Sequence, residues 1–230
     1  MKLMNRLRTW LGSQQAGTNQ DEKPRELWER SRVRWRNAAP VGHLTWGKEI
    51  NGDHFVSKMK QHGAFSPGHA LLEIGPGYGR LLKSILQSEA PFQTYLGVDL
   101  SAHNIDFLTQ TFSGDQIAFQ HGDIETRTFD QRFDVVFSSL TFKHLYPSFE
   151  RVLENVSQAL NPGALVFFDL IEGSGEHFEH DGVTYLSHYS KEEVSAILNR
   201  CGLRLFAWDE VAHTPEQKRL LVVATNDSTE

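Results

Sequence analysis

Between residues 69 and 170 the apolar positions fall into short unbroken blocks that alternate with segments of helical period. The blocks "HALLEI", "TYLGVD", "QIAFQHGD", "FDVVFSSL" and "ALVFFDL" predict five strands buried on both faces. Between them, "RLLKSILQ" places Leu81, Leu82, Ile85 and Leu86 on one helical face. "SAHNIDFLTQTF" does the same with Ile105, Leu108 and Phe112, and "SFERVLENVSQAL" with positions 149, 152, 153, 156 and 160. Asn161-Pro162-Gly163 is expected to end that last helix. Strand and helix in strict alternation predict a parallel sheet with helices on both faces.

Beyond residue 170 the rhythm breaks. Residues 171–189 predict a long loop or a small hairpin. Ser190 and Glu193 supply a capping box for "KEEVSAILNRC", which Gly202 closes. "LRLFAWDEV" and "KRLLVVAT" are separated only by "AHTPEQ", too short for a helical crossover, so they are expected to pair antiparallel. Ahead of the regular region, residues 1–11 predict a short amphipathic helix and residues 12–24 a polar linker. "RELWERSRVRWRN" predicts a helix with Trp28 and Trp35 seven apart on one face. Two readings of it stand open: a docked helix with solvated arginines, or a cap over a site or an anion-binding arm. A further helix is expected from near Asp53 to Gly63. The resulting division is a basic arm and linker (1–24), a helical cap (25–66) and a ligand-binding domain (67–226).

Composition narrows the function classes. The 230 residues suffice for a large buried core. Residues 1–40 hold nine Lys/Arg against four Asp/Glu, a balance of +5, while the remainder holds 14 against 25, a balance of −11. An acidic body repels phosphates and argues against nucleic acid as partner, although the basic arm can touch an anionic surface, including weak contact with a membrane. The single cysteine, Cys201, rules out an internal disulfide and favours a reducing compartment, the cytoplasm. The longest apolar runs are five residues, "ALVFF" and "LLVVA", which predict no membrane span, and "MKLMNRLRTWLG" makes no convincing signal peptide.

The chemistry concentrates in "LLEIGPGYGR", where the first strand becomes a helix. Gly75, Gly77 and Gly79 permit a tight turn and let backbone N–H groups approach a ligand. In an open α/β sheet, ligands bind beyond the carboxyl ends of the strands. A pyrophosphate fingerprint is G-x-G-x-x-G; here the third glycine comes one residue early. Glu73, two residues before the first glycine, opposes a bound phosphate and favours a ligand with positive charge. Asp99 ends the second strand, where an acid can accept hydrogen bonds from ribose hydroxyls. Asp123 ends the third strand, where it is either a turn aspartate or an acceptor for an adenine amino group, with Leu100 and Ile124 as apolar flanks for the ring. Asp134 lies at the opposite edge and reads as structural.

With "YLGVDLS", "GDI", "FDVVFSSLTFKHL" and "ALNPGALVFFDL" added, the chain resembles a class I S-adenosylmethionine-dependent methyltransferase over residues 69–170, more weakly to 225. The resemblance implies a Rossmann-like, seven-stranded, mostly parallel sheet of order 3-2-1-4-5-7-6 with the seventh strand antiparallel. It implies S-adenosyl-L-methionine as cofactor, a methylation activity, and Tyr78 and Ser138 as further cofactor contacts. The acceptor it implies is a small molecule, or a sugar or lipid-linked group, methylated at oxygen or nitrogen. A hydroxyl acceptor benefits from a general base. His144 lies after the fourth strand on the correct rim, as a base or as a histidine that packs the loop; Lys143 beside it is solvated or bound to an anionic acceptor. The loop after the fifth strand adds Glu172, His177, His180, Tyr185, His188 and Tyr189 as pocket or surface residues. His177 and His180 with Glu172 or Asp181 match no familiar metal spacing, so no metal is expected. "SSLTF" lacks the Asp/Asn-Pro-Pro-aromatic motif of amino-methylating DNA enzymes, and Cys201 sits far from where cytosine C5 methylation needs a thiol; RNA ribose stays open. Two other readings stand on the same residues: a dinucleotide-dependent oxidoreductase, and a non-catalytic protein that keeps the fold.

Overall fold

The computed structural model describes residues 24–39, 52–112, 114–173, 177–179, 184–213 and 218–227. The expected helix at 1–11 and the linker up to residue 23 lie outside the described residues. The first described helix is α1 (Pro24–Arg36), with proline at its first position, where the missing N–H costs nothing. Helix α2 (Gly52–Gln61) follows, and Gly63 takes the left-handed conformation (φ 77°) expected of a helix stop.

The regular region then runs β1 (Ala70–Ile74), α3 (Arg80–Gln87), β2 (Thr94–Asp99), α4 (Ala102–Thr111), β3 (Ile117–His121) and β4 (Phe133–Ser138). A 3-10 turn (Phe142–His144), α5 (Glu150–Ser157) and β5 (Leu160–Glu172) come next. The chain closes with β6 (His177–Glu179), β7 (Tyr185–Tyr189), α6 (Lys191–Arg200), β8 (Arg204–His213) and β9 (Lys218–Thr225). Strands β3, β2, β1, β4 and β5 lie side by side and parallel; β9 runs antiparallel between β5 and β8. With β8 and β9 as the sixth and seventh strands of the expected fold, this is the order 3-2-1-4-5-7-6. The segment 171–189 adds a hairpin: β7 pairs antiparallel with β6 and parallel with the far end of β5. That end projects past the last residue of β4, so the hairpin extends the rim where ligands bind.

Two details depart from the pattern. Strand β5 starts at Leu160 rather than Ala164, because a bulge moves the pairing from Phe133↔Leu160 to Val135↔Leu165 and absorbs Pro162 and Gly163 (φ 74°). Leu86, expected inward, is exposed at 41%, since it lies a further 100° round α3 from buried Ile85.

Each face of the sheet has its own core. Leu81, Leu82 and Ile85 of α3 pack with Phe55 and Met59 of α2 on one side. Val152, Leu153 and Val156 of α5 pack with Val194 and Leu198 of α6 on the other. Each such side chain contributes roughly 1.5–3 kcal/mol by leaving water. Asp134 binds the Ala70 amide (2.8 Å) and the Asn161 side chain (2.7 Å), which ties the starts of β1, β4 and β5 together at the edge away from the ligand rim.

Candidate active site

The site grows out of the turn between β1 and α3. Gly75, Gly77 and Gly79 all have positive φ (68°, 59° and 82°). At Gly75 a Cβ would stand 2.5 Å from Thr141 Oγ1, and at Gly79 it would strike the Phe112 ring. Gly77 is different, because nothing lies within 4 Å of the place its Cβ would take. The three glycine N–H groups, expected to approach a ligand, instead each donate within the protein. Gly75 N–H reaches Val98 O (2.8 Å), Gly77 N–H reaches Asp99 Oδ2 (2.9 Å) and Gly79 N–H reaches Pro76 O (2.9 Å). A pyrophosphate held by those amides has no donors to meet.

Two acids border the turn. Glu73 is 2% exposed and accepts a hydrogen bond from Tyr95 Oη (2.5 Å). Burial pushes its carboxyl up to about 7, against the pull of Tyr95 and Arg80 and with a smaller push from Asp99. Asp99 is 7% exposed. Its Oδ1 accepts from Ser101 N–H (2.8 Å) and Asn104 Nδ2 (3.2 Å), and its Oδ2 from Gly77 N–H. Burial raises its pKa and these three donors oppose the rise. The carboxylate is thereby fixed in orientation, with lone pairs left over for hydroxyl donors.

A cavity of about 260 Å³ opens between this turn and the ends of β2, β3 and β4. Helix α1 closes its outer side. Trp28, Arg32, Trp35, Ala38 and Ala39 line the cavity, so the seven-residue spacing of the tryptophans does mark one face. Arg32 forms ion pairs with both Asp123 and Glu125. Ser31 Oγ accepts from Tyr185 N–H (2.7 Å), and Ser101 Oγ donates to Ala38 O (2.5 Å). The arginine at 32 is thus bound inside the site rather than solvated.

The inner wall comes from the segment after β4. His144 Nδ1 lies 2.9 Å from Tyr185 O, so Nδ1 carries the proton and donates, and Nε2 is the basic nitrogen. The Trp35 ring packs at 4.9 Å from the imidazole. Lys143 is half-buried and lines the cavity. Burial pulls its ammonium down to about 8, helped by Arg219 and opposed by Asp169.

Residues 72–166 match a family profile described as a methyltransferase domain. The chain is 29% identical over 154 residues to a phthiotriol/phenolphthiotriol dimycocerosates methyltransferase of Mycobacterium ulcerans, covering 64% of this chain and 56% of that protein. It is 26% identical over 155 residues to a malonyl-[acyl-carrier protein] O-methyltransferase of Priestia megaterium, covering 66% and 54%. It therefore spans about half the length of the curated relatives it matches. The fold is similar to that of 1,6-didemethyltoxoflavin-N1-methyltransferase of Burkholderia thailandensis, crystallised with S-adenosylhomocysteine: TM-score 0.70, 15% identity, 90% of this chain and 92% of that one. Residues 72–166 thus match a methyltransferase domain, and the fold around them is similar to that of a methyltransferase crystallised with S-adenosylhomocysteine.

The cofactor of such a methyltransferase is S-adenosylmethionine, and the residues fit it: two buried acids flank a bare turn beside an apolar slot. Of the residues singled out in the sequence, Glu73, Gly75, Gly77, Tyr78, Asp99, Leu100, Asp123, Ile124 and His144 line one cavity. Gly79 stands behind it as the N-terminal cap of α3. Ser138 does not reach it. The alternation at the end of β4 turns its hydroxyl onto Ile74 O (2.7 Å), and its neighbour Ser139 lines the cavity instead. Thr141, Arg80 and Asn104 also line it without having been singled out. Of the residues expected in a loop after the fifth strand, Glu172 ends β5 and pairs with Lys218 (3.1 Å), and Tyr185 opens β7 and serves the site through its carbonyl. His180 and Asp181 lie outside the described residues. Among the described residues no helix is long and apolar enough to cross a membrane.

Proposed function

We propose that the protein transfers a methyl group from S-adenosylmethionine to an oxygen or nitrogen of a small-molecule, sugar or lipid-linked acceptor. The observation that carries this reading is the pairing of Glu73 and Asp99 beside a turn whose glycine amides are already engaged. That arrangement suits a cationic nucleoside and not a phosphate bridge. When bound, the cofactor supplies an electrophilic methyl carbon on a sulfonium leaving group.

The chain's own residues do the rest. Asp99 accepts from ribose hydroxyls while its amide donors hold it still. Leu100 and Ile124 flank the adenine, and Asp123 accepts from the adenine amino group, sharing its charge with Arg32. Glu73 sets a negative charge on the cation's side of the turn. Trp28 and Trp35 of α1 exclude water from the reacting atoms, which strengthens each of these contacts. His144 Nε2 takes the proton that an acceptor hydroxyl loses as its oxygen bonds to the methyl carbon, and the Tyr185 carbonyl stabilises the ring as it charges. The single cysteine favours the cytoplasm as its place of action.

The test is transfer of labelled methyl from S-adenosylmethionine to panels of hydroxy acids, amines, glycosides and acyl carriers. The reading expects turnover with one class and its loss in Asp99→Ala. Binding of S-adenosylhomocysteine with no turnover in any class would leave a cofactor-binding protein and overturn the enzyme.

A further inference from the structure

Behind the cavity wall formed by Ser139, Leu140 and Lys143 lies a buried cluster of charges. Asp169, in β5, is fully buried and accepts from Ser139 Oγ (2.6 Å), Leu140 N–H (2.8 Å) and Arg219 Nη2. Burial pushes Asp169 up, but Arg219, then Ser139 and Leu140, then Lys143 outweigh it, so its pKa falls below the ordinary value and it is ionised. Three cations gather on this one carboxylate. Arg219 is only 7% exposed, and its Nε and Nη1 have no hydrogen-bond partner. Lys143 lines the cavity in front of it, close enough to Arg219 for the two charges to repel. Arg80 lines the cavity as well and donates to Ser139 Oγ (2.8 Å).

A half-buried ammonium that shares one carboxylate with a buried guanidinium is costly unless a further anion joins it from the cavity side. Asp169 balances one of the charges. Arg80 feels Asp169 first and Glu73 second, so the single Asp169 carboxylate faces Arg219, Lys143 and Arg80 together. Lys143 and His144 line the same cavity, so an anion held by the ammonium can belong to the molecule whose reacting atom meets His144.

We propose that the methyl acceptor carries an anionic group, a carboxylate or phosphate, and that Lys143, with Arg219 behind it, forms the subsite that receives it. This rests on the methyl-transfer reading of the cavity and adds a substrate class to it: an acid bearing the hydroxyl or amine to be methylated. Contact falls to Lys143. Arg219 contributes by engaging Asp169, which then cannot neutralise Lys143 as well.

The experiment titrates malonate and inorganic phosphate into the full chain by calorimetry at constant ionic strength, with and without saturating S-adenosylhomocysteine. One of the two anions is expected to bind saturably in both conditions, and the pair tells a carboxylate site from a phosphate site. Lys143→Gln is expected to weaken that binding at least tenfold, and Lys143→Arg to restore most of it. Absence of saturable binding by either anion, or equal binding by Lys143→Gln, overturns the subsite. Displacement of the anion by S-adenosylhomocysteine overturns it too, since the cluster would then serve the cofactor's own carboxylate. Failure of S-adenosylhomocysteine to bind at all defeats the methyl-transfer reading instead, while the Lys143 comparison in its absence still reads the anion site.

Discussion

Glu73 offers a prediction in which stability and binding move in opposite directions. Its carboxyl titrates near 7 when buried, against 4.5 for an unhindered glutamate. The folded protein therefore holds a proton that the unfolded chain has lost, and stability must fall as pH rises from 4.5 to 7. The shift corresponds to about 3 kcal/mol in full, most of it lost between pH 5 and pH 8. Glu73→Gln removes the titration. The constant costs of the amide cancel if the stability difference between variant and wild type is followed against pH. By urea denaturation that difference should change by about 2.5 kcal/mol in favour of the variant as pH rises over this window. Cofactor affinity should run the other way. A cation selects the ionised carboxylate, so wild type should bind S-adenosylmethionine about tenfold more tightly at pH 8 than at pH 6, a slope that the variant lacks. A flat difference in stability would show that Glu73 ionises normally. A flat affinity profile would show that its charge does not meet the ligand.

Three further outcomes follow from the same geometry. Asp99→Ala should weaken cofactor affinity by roughly 1–3 kcal/mol through lost charged hydrogen bonds, read by calorimetry, and unchanged affinity would remove Asp99 from the site. Gly79→Ala should cost about 1–3 kcal/mol from the left-handed backbone alone, with the collision against Phe112 added, seen as a lower urea midpoint. Arg32→Ala should free Asp123 and Glu125 and loosen α1, so trypsin should cut within residues 24–36 faster than in wild type. Equal cleavage would mean that the other contacts of α1 carry its docking.

The sheet and its order are legible because burial on both faces leaves unbroken apolar blocks, and five such blocks with helical spacers admit few arrangements. The acids at 73, 99 and 123 are legible because each stands within two residues of a strand's carboxyl end, although β3 stops at His121 and leaves Asp123 in the turn beyond it. What escapes is set by contacts across long separations or by a single step of alternation. Arg32 meets Asp123 from 91 residues away, and no local pattern announces it. Arg219 meets Asp169 across the antiparallel junction of β9 and β5, so the cation cluster exists only once the sheet has formed. Ser138 and Ser139 are neighbours with identical side chains, and only the pleat decides which one faces the cavity. The glycines at 75 and 79 mark close approach of Thr141 and Phe112, and the loop's amides turn inward because the left-handed turns aim them at Val98, Asp99 and Pro76.

The most direct measurement of the central claim is calorimetric titration of the purified chain at pH 8 with S-adenosylmethionine and, separately, with NAD. One molecule of S-adenosylmethionine per chain, bound saturably, with no heat from NAD, is the predicted result. Saturable binding of NAD, or no binding of S-adenosylmethionine, would contradict it.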